Sequence, residues 1–177
     1  MTAATQLQRS GLKCAVVSEG LSLHKAPGTE FRAAGGTILA GDRVTSGVIK
    51  DGKLLSVNTE KLAGVPLEAS AFILATGKFF SRGIVADMDS VYEPVFGLDV
   101  EYAADRSIWF SESFAAPQPF LGFGVKTIDG RALKDGSPIV NLFPAGEVLA
   151  GVSSAQEDAT ELIRKTALDA AEAIRRI

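Results

Sequence analysis

The run from residue 71 to residue 77, AFILATG, constrains the fold more than any other part of this chain. Its apolar stretch is too short for a helix and is bounded by Gly77, which is typical of a strand buried on both faces of a helix-covered sheet. Thr76 and Gly77 follow at the strand's carboxyl end, where open α/β sheets bind their ligands. We therefore predict a buried strand with a ligand-contacting turn; the alternative is a core strand followed by an ordinary turn.

A second segment has the same organisation. Residues 139–143, IVNLF, predict another short buried strand, and Ala145, Gly146 and Glu147 follow it. If these two strand ends and a third, at Glu19, converge on one cleft, the cleft would suit a flavin nucleotide. Backbone N–H groups would reach its phosphates, and a helix beginning after Gly146 would add its dipole. The flavin would then carry the redox chemistry, while the protein supplies position and electrostatics.

The first residues resemble half of a nucleotide-binding unit. Residues 2–8 predict a helix ended by Gly11, and residues 13–18 predict a buried strand that ends at Glu19. In a dinucleotide-binding βαβ unit, an acidic residue at this strand end accepts hydrogen bonds from a ribose hydroxyl. No preceding strand or G-x-G-x-x-G loop stands before this helix. Glu19 is therefore a cofactor-binding candidate, and a solvated strand-end acid is the alternative.

A β-meander is predicted in the middle of the chain. Its three segments are residues 37–39, 43–50 and 53–59, and Asp51-Gly52 predicts a type I′ hairpin between the last two. A meander that feeds a buried strand and its A-T-G turn is an order commonly found in flavoproteins with two dinucleotide-binding motifs.

Two further helices are predicted. One covers residues 29–34, and His24 in the loop before it is either a pocket group or a surface histidine. The other covers residues 156–177, where apolar residues recur at spacings of three and four, with Ser153 or Ser154 as the N-cap.

The segment from 91 to 123 is rich in proline and aromatic residues. It predicts a packed irregular layer, or alternatively a lid or an interface with a partner protein, since aromatic residues are enriched at interfaces. Asp87, Asp89 and Glu93 lie close together near its start, and we interpret them as turn acids rather than as a metal site.

Composition limits the remaining classes of function. With 46% hydrophobic residues and a mean hydropathy of +0.19, the 177-residue chain is globular, and its net charge of −3 gives no reason to propose nucleic acid as a partner. One cysteine and one histidine exclude an internal disulfide and a zinc cluster. No apolar run approaches the roughly 18 residues of a membrane span. We expect a single domain over residues 1–177, located in the cytoplasm.

Three longer blocks carry a family resemblance. FILATGKFFSRGIVADMDSVYEPVFGLDV, SFAAPQPFLGFGV and IVNLFPAGEVLAG, together with the opening AATQLQRSGLKCAVVSEGLSLH, closely resemble the B subunit of bacterial anaerobic glycerol-3-phosphate dehydrogenase. That family belongs to the wider fumarate reductase/succinate dehydrogenase-like flavoproteins. The EP-x-FGLDV and F-x-APQP-x-x-x-FGV blocks are the most specific, and the resemblance covers most of the chain in the family's order.

The resemblance implies a flavoprotein using FMN, or FAD, that acts with a catalytic A subunit and an iron–sulfur, membrane-associated C subunit. Together these oxidise glycerol 3-phosphate to dihydroxyacetone phosphate and pass electrons to quinone. Carried over to this chain, the family pattern makes cofactor-binding candidates of residues at three strand ends and in the L-H motif. These are Glu19, His24, Thr76, Gly77, Ala145, Gly146 and Glu147. Phe79, Phe80, Pro117 and Pro119 match family positions that we interpret as structural.

The chain departs from the family pattern in four places. The first strand and its Gly-rich loop are missing, the family's long region after the L-H segment is reduced to residues 25–34, and Arg82 stands where a glycine is usual. The last helix follows SSAQEDATELI instead of a Gly-rich turn, and Asp158 and Glu161 there would repel a phosphate. We therefore interpret the chain as a shortened form of the family's protein.

The expected fold is α/β: an FAD/NAD(P)-binding Rossmann-like fold with a β-meander, lacking the first strand and its Gly-rich loop. The primary functional hypothesis is a flavin-binding redox subunit. The alternative is a non-catalytic, partner-binding module of the same fold that has lost flavin binding. A third is another flavin reductase or dehydrogenase of the same group.

Overall fold

The computed structural model describes residues 2–20, 26–153 and 155–177, with the side chains of Thr2 and Ala26 excepted. The helices are α1 (Thr2–Arg9), α2 (Ala26–Ala33) and α3 (Ala159–Arg175). The strands are β1 (Ala15–Ser18), β2 (Thr37–Ala40), β3 (Val44–Lys50), β4 (Lys53–Thr59), β5 (Leu67–Glu68), β6 (Phe72–Leu74), β7 (Val85–Ala86), β8 (Val91–Tyr92), β9 (Val100–Glu101), β10 (Gly124–Val125), β11 (Thr127–Ile128), β12 (Arg131–Lys134), β13 (Ser137–Pro138) and β14 (Leu142–Pro144).

The first elements form a parallel crossover. Helix α1 ends as predicted, with the N–H groups of Gly11 and Leu12 donating to the carbonyls of Gln8 and Leu7. Strand β1 then pairs in parallel with β2 from Ala15↔Thr37 to Ser18↔Ala40, and α2 lies between them in sequence. Helix α2 begins at Ala26, three residues before its predicted start.

The three-stranded antiparallel sheet is built from β3, β4 and β5. Asp51 and Gly52 have φ values of 51° and 70°, which confirms the predicted type I′ hairpin between β3 and β4. The prediction of which three strands form the meander is wrong for its first strand. Strand β2 pairs with β1 instead of β3, and β5 supplies the third strand.

Strands β6 and β14 form a parallel pair, in register from Leu142↔Phe72 to Pro144↔Leu74. Burial along the first of these is less complete than predicted. Leu74 is buried, Phe72 is half-buried and Ala75 is exposed. The second strand is fully buried, although it begins later than the predicted segment 139–143.

The segment from 124 to 138 forms short antiparallel hairpins. The predicted strand at 125–128 is divided between β10, which pairs with β9, and β11, which pairs with β12. Turns at Asp129-Gly130 and Asp135-Gly136 connect β11 to β12 and β12 to β13, as predicted.

Helices α1 and α3 pack together over β6. Ala3 and Leu7 of α1 and Ala171 of α3 form a buried cluster that Ile73 and Cys14 adjoin. The predicted serine cap of α3 is wrong where it can be checked, because Ser153 Oγ accepts from the N–H of Ala155 and the helix begins after Asp158. Ser154 lies outside the described residues.

The main core lies between the β3–β5 sheet, β6 with β14, and the aromatic segment. Its fully buried members include Leu54, Ile84, Val125, Ile139 and Leu142. The described strands form sheets of two or three members, so the chain is a mixed α/β fold of small sheets.

Candidate functional site

Parallel pairing brings the two predicted turns side by side. The backbone N–H of Ala145 donates to the carbonyl of Leu74 at 2.9 Å, which extends the β6–β14 pairing by one residue. Since parallel strands have their carboxyl ends at the same edge, residues 75–78 and 145–148 leave the pair together. We call these two segments the two-turn edge. Two of the three strand ends considered in the sequence therefore lie at one edge, while Glu19, the third, pairs with Arg43.

The turn after β6 is a tight loop held by hydrogen bonds between its own residues. Gly77 has a φ of +72°, a conformation that glycine adopts without steric penalty. Ser81 Oγ donates to the carbonyl of Thr76 at 2.6 Å, and the N–H of Gly83 donates to the carbonyl of Lys78 at 2.8 Å. A Cβ at Gly83 would lie 2.0 Å from the Gly77 oxygen, so only glycine fits there.

The hydroxyl of Thr76 is buried without a hydrogen-bond partner among the residues that the structure describes. A buried polar group left in this state costs about 1–3 kcal/mol. Native proteins pair nearly all such groups, so an unpaired hydroxyl at a strand end needs an explanation. Because this oxygen is closed off from solvent, a ligand at the two-turn edge would supply the missing partner only after the Thr76 side chain rotates or the loop opens.

Lys78 is the site residue that the sequence analysis missed. Its side chain is only 7% exposed, and Nζ donates to the carbonyl of Leu121. Burial lowers the pKa of Lys78 to about 8 from its ordinary value of 10.5, and attraction to the Glu147 carboxylate partly opposes that change. The two turns are therefore linked electrostatically, by a lysine from one and a glutamate from the other.

The turn after β14 differs from its prediction. A short 3₁₀ turn, Gly146–Val148, follows the strand, and the next α-helix begins only at Ala159. The expected helix dipole directly after Gly146 is therefore wrong. The N–H of Gly146 donates to Thr166 Oγ1 of α3 at 2.9 Å, so it already has a partner within the chain.

Glu19, another predicted cofactor residue, lies in an ion pair. Glu19 forms an ion pair with Arg43 at 3.7 Å, and Arg43 also pairs with Glu60. The structure thus joins the end of β1 to the start of β3 through these exposed side chains. His24 lies outside the described residues.

The carboxylate of Glu93 is buried and bound by backbone N–H groups. It is 1% exposed and accepts the backbone N–H groups of Val95 and Phe96 at 3.0 Å and 2.7 Å. Burial raises the pKa of Glu93, and these backbone hydrogen bonds partly oppose the rise. The described part of the chain contains no group of three or more side chains suited to hold a metal ion.

The aromatic segment has a buried and an exposed side. Trp109 is buried, donates through Nε1 to the Ala103 carbonyl at 2.7 Å, and packs edge-on against Phe123. Outside this layer lies an open groove of about 420 Å³. We call it the aromatic groove; it is lined chiefly by Phe79, Met88, Arg106, Trp109, Phe110 and Phe120.

The site residues fit a bound cofactor in part. Among the described residues the Thr76 hydroxyl has no partner, and Lys78 and Glu147 supply opposite charges near it. The space beside Gly77 is filled by Ser81, whose Oγ lies 2.2 Å from where a Cβ would stand. In the described ranges, no helix is both long enough and apolar enough to cross a bilayer.

Comparison with known proteins identifies a family that matches most of this chain. The family described as "FAD binding domain" matches residues 23–161, which is most of the chain. The match includes both turns of the two-turn edge.

Several curated relatives are B subunits of anaerobic glycerol-3-phosphate dehydrogenase. The one from Yersinia pseudotuberculosis serotype I (strain IP32953) is 37% identical over 139 residues, which cover 78% of this chain and 33% of the relative. Those from Vibrio vulnificus (strain YJ016) and Aliivibrio fischeri (strain MJ11) are each 39% identical over 75% of this chain, and over 31% and 32% of the relatives. The chain spans about a third of the length of these relatives.

These matches confirm the resemblance found in the sequence blocks. The family match, which covers well over half of the residues, agrees with the mixed α/β fold and with the paired strand-end turns. The chain belongs to the FAD binding domain family.

Proposed function

We propose that this chain is the flavin-binding part of a flavoprotein oxidoreductase, in which FAD or FMN contacts the two-turn edge. The observation that carries the proposal is the parallel pairing of β6 with β14, which places a buried, unpartnered Thr76 hydroxyl beside the Ala145 turn. The family match to an FAD binding domain supports the same cofactor class.

Each residue of the edge has a role in this proposal. Thr76 Oγ1 hydrogen-bonds the cofactor, Gly77 contacts it through backbone atoms on the side away from Ser81, and the Lys78 ammonium faces it together with the Glu147 carboxylate. Ala145 and Gly146 form the opposite wall. Glu19 and His24 are proposed to act at the nucleotide end of the cofactor. When bound, the flavin supplies the redox chemistry and the chain supplies position and charge.

The proposed process is the oxidation of glycerol 3-phosphate to dihydroxyacetone phosphate, with electrons relayed toward quinone. The relatives, which are named as one subunit of a dehydrogenase, support a role within a multi-subunit complex. We propose a catalytic A subunit and an iron–sulfur, membrane-associated C subunit as its partners, with the chain on the cytoplasmic side of the membrane.

Flavin titration of the purified chain tests the cofactor site. Binding of FAD and of FMN is measured separately by the quenching of flavin fluorescence. Thr76→Val removes the hydroxyl while keeping its shape, and we expect about five- to tenfold weaker binding, equivalent to ~1 kcal/mol for one hydrogen bond. Thr45→Val is the matched control, since the Thr45 hydroxyl donates to the Asn58 carbonyl on the exposed face of β3. Equal affinities for the wild type and Thr76→Val would contradict the assignment of Thr76.

A second candidate function is a partner-binding module that holds no flavin. It is favoured by the occupied N–H of Gly146, since that group is already bonded to Thr166. Failure of both FAD and FMN to bind the folded chain would support this candidate and overturn the first.

A further inference from the structure

Two large apolar side chains that line the aromatic groove are exposed to solvent. Phe110 is 58% exposed and Met88 is 76% exposed, although both line the same groove. Phe120 at the base contacts Phe110 and Phe79, with ring centroids 5.1 Å and 5.7 Å apart. Exposed aromatic clusters of this kind mark sites of association with other molecules.

One acidic residue lines this groove, and three more are close in sequence to residues that line it. Asp87 lines it, Asp89 is the next residue after Met88, Asp105 precedes Arg106, and Glu112 is the second residue after Phe110. All four side chains are exposed. Hydrogen bonds from the Ser107 hydroxyl and N–H lower the pKa of Asp105, so this carboxylate stays ionised at neutral pH.

The basic residue in the groove lining is Arg106, and its guanidinium hydrogen-bonds within the chain; Arg82, three residues after Phe79, is also exposed. Nη1 donates to the carbonyls of Asp87 and Met88, and the group lies 5.2 Å from the centre of the Trp109 ring. Arg106 therefore braces the groove wall and keeps its positive charge, and Asp87 is the other charged residue in the lining.

We propose that the aromatic groove is a docking site for another protein, and that it receives an apolar side chain carried on a positively charged segment. The apolar side chain fills the space between Met88 and Phe110. Flanking lysine or arginine residues pair with Asp87, Asp89 and Glu112. This docking site adjoins the two-turn edge, since Phe79 follows Lys78 in the chain, but the proposal does not require a bound flavin.

A pair of synthetic peptides tests this proposal. Both form the same amphipathic helix with leucine on one face, and one carries lysine where the other carries glutamate on the opposite face. Affinity for the full chain is measured from the fluorescence anisotropy of a labelled peptide. Trp109 is the chain's single tryptophan, so a change in its emission locates the peptide at the groove.

We expect the lysine peptide to bind at least about tenfold more tightly than the glutamate peptide, with an affinity that rises as salt is lowered. Phe110→Ser should weaken that binding about tenfold, because it removes a central aromatic contact. The triple variant Asp87→Asn, Asp89→Asn and Glu112→Gln should reduce the salt dependence. Val65→Ser is the matched control, since Val65 is 63% exposed in a loop outside the groove.

Three outcomes would overturn the proposal. The first is binding of neither peptide, or equal binding of both. The second is binding that Phe110→Ser leaves unchanged. The third is a dimer, seen by sedimentation, that Phe110→Ser dissociates, because a second copy of the chain would then be the occupant.

Discussion

The backbone N–H of Ala145 donates to the carbonyl oxygen of Leu74 at 2.9 Å, directly beyond the last paired residues of β14 and β6. This bond joins two segments that lie 71 residues apart in the chain, and it sets the starting point of both turns. The proposed cofactor site depends on this relationship, since neither turn alone presents both Lys78 and Glu147.

Asn141 fastens this strand pair to the antiparallel sheet. Its Oδ1 accepts the N–H of Leu54 at 2.9 Å, and its Nδ2 donates to the carbonyls of Leu54 and Ser70 at 2.8 Å and 3.0 Å. We predict that Asn141→Leu lowers the free energy of unfolding by about 2–4 kcal/mol, because buried backbone groups lose their partners. Urea denaturation measures the change. Val140→Ala, at an exposed neighbouring position, should change it by less than about 0.5 kcal/mol. Equal effects of the two substitutions would contradict this role.

Arg82 has a φ of +58°, in the left-handed region that favours glycine. We predict that Arg82→Gly raises the free energy of unfolding by up to about 1 kcal/mol, since it relieves this conformation. Arg82→Val should lower it, because a β-branched side chain tolerates positive φ poorly. Thermal unfolding of the three proteins gives the order, and a wild type more stable than Arg82→Gly would contradict the explanation.

Lys78 should make stability depend on pH in the alkaline range. Its pKa is about 8 in the folded chain and ordinarily 10.5, so between these values the unfolded chain binds more protons than the folded chain. The contribution of Lys78 to the free energy of unfolding therefore rises as pH increases through this window, by up to about 3 kcal/mol. Below about pH 8 the lysine is charged in both states, and the full penalty for burying the ammonium is present.

The matched comparison is Lys78→Met, which removes the titrating group. We predict that the wild type gains stability relative to Lys78→Met between about pH 8 and 10.5. Lys126→Met, at an exposed lysine, is the control. Chemical denaturation at each pH measures the difference, and a constant difference between the wild type and Lys78→Met would show that the Lys78 pKa is not lowered.

The loop that holds Thr76 depends on the glycine at position 83. A Cβ there would lie 2.0 Å from the Gly77 oxygen and 2.7 Å from Thr76 Oγ1. We predict that Gly83→Ala destabilises the chain by more than about 1 kcal/mol and weakens flavin binding further than Thr76→Val. Gly122→Ala meets no atom within 4 Å and serves as the control. Stability and flavin affinity of Gly83→Ala that match the control would refute the argument.

The sequence predicted local structure better than pairing. Asp51-Gly52 determines a hairpin through its own backbone conformation, so that turn was predictable from two residues. The partner of β2 was not, because the apolar pattern of TILA predicts a strand without saying whether β1 or β3 will lie beside it. The order of the chain suggested a meander, but the crossover through α2 placed β2 in the first sheet.

In the candidate site, too, some features were predictable from local sequence and others were not. Glycine turns after apolar runs marked Thr76 and Gly146, but the sequence did not determine that their two strands pair with each other. Lys78 was missed because lysine is almost always exposed, and only its place between a strand-end turn and two phenylalanines hinted otherwise. Asn141 gave a clearer signal, since an amide inside the apolar run IVNLF requires buried hydrogen-bond partners.

The most direct test of the flavin proposal is an absorbance spectrum of the purified, native chain in the near-ultraviolet and visible range. Mass spectrometry then identifies any molecule released on denaturation. We predict flavin bands that disappear from the protein on unfolding, with FAD or FMN in the supernatant. A colourless, folded chain that also fails to take up added FAD or FMN would contradict it.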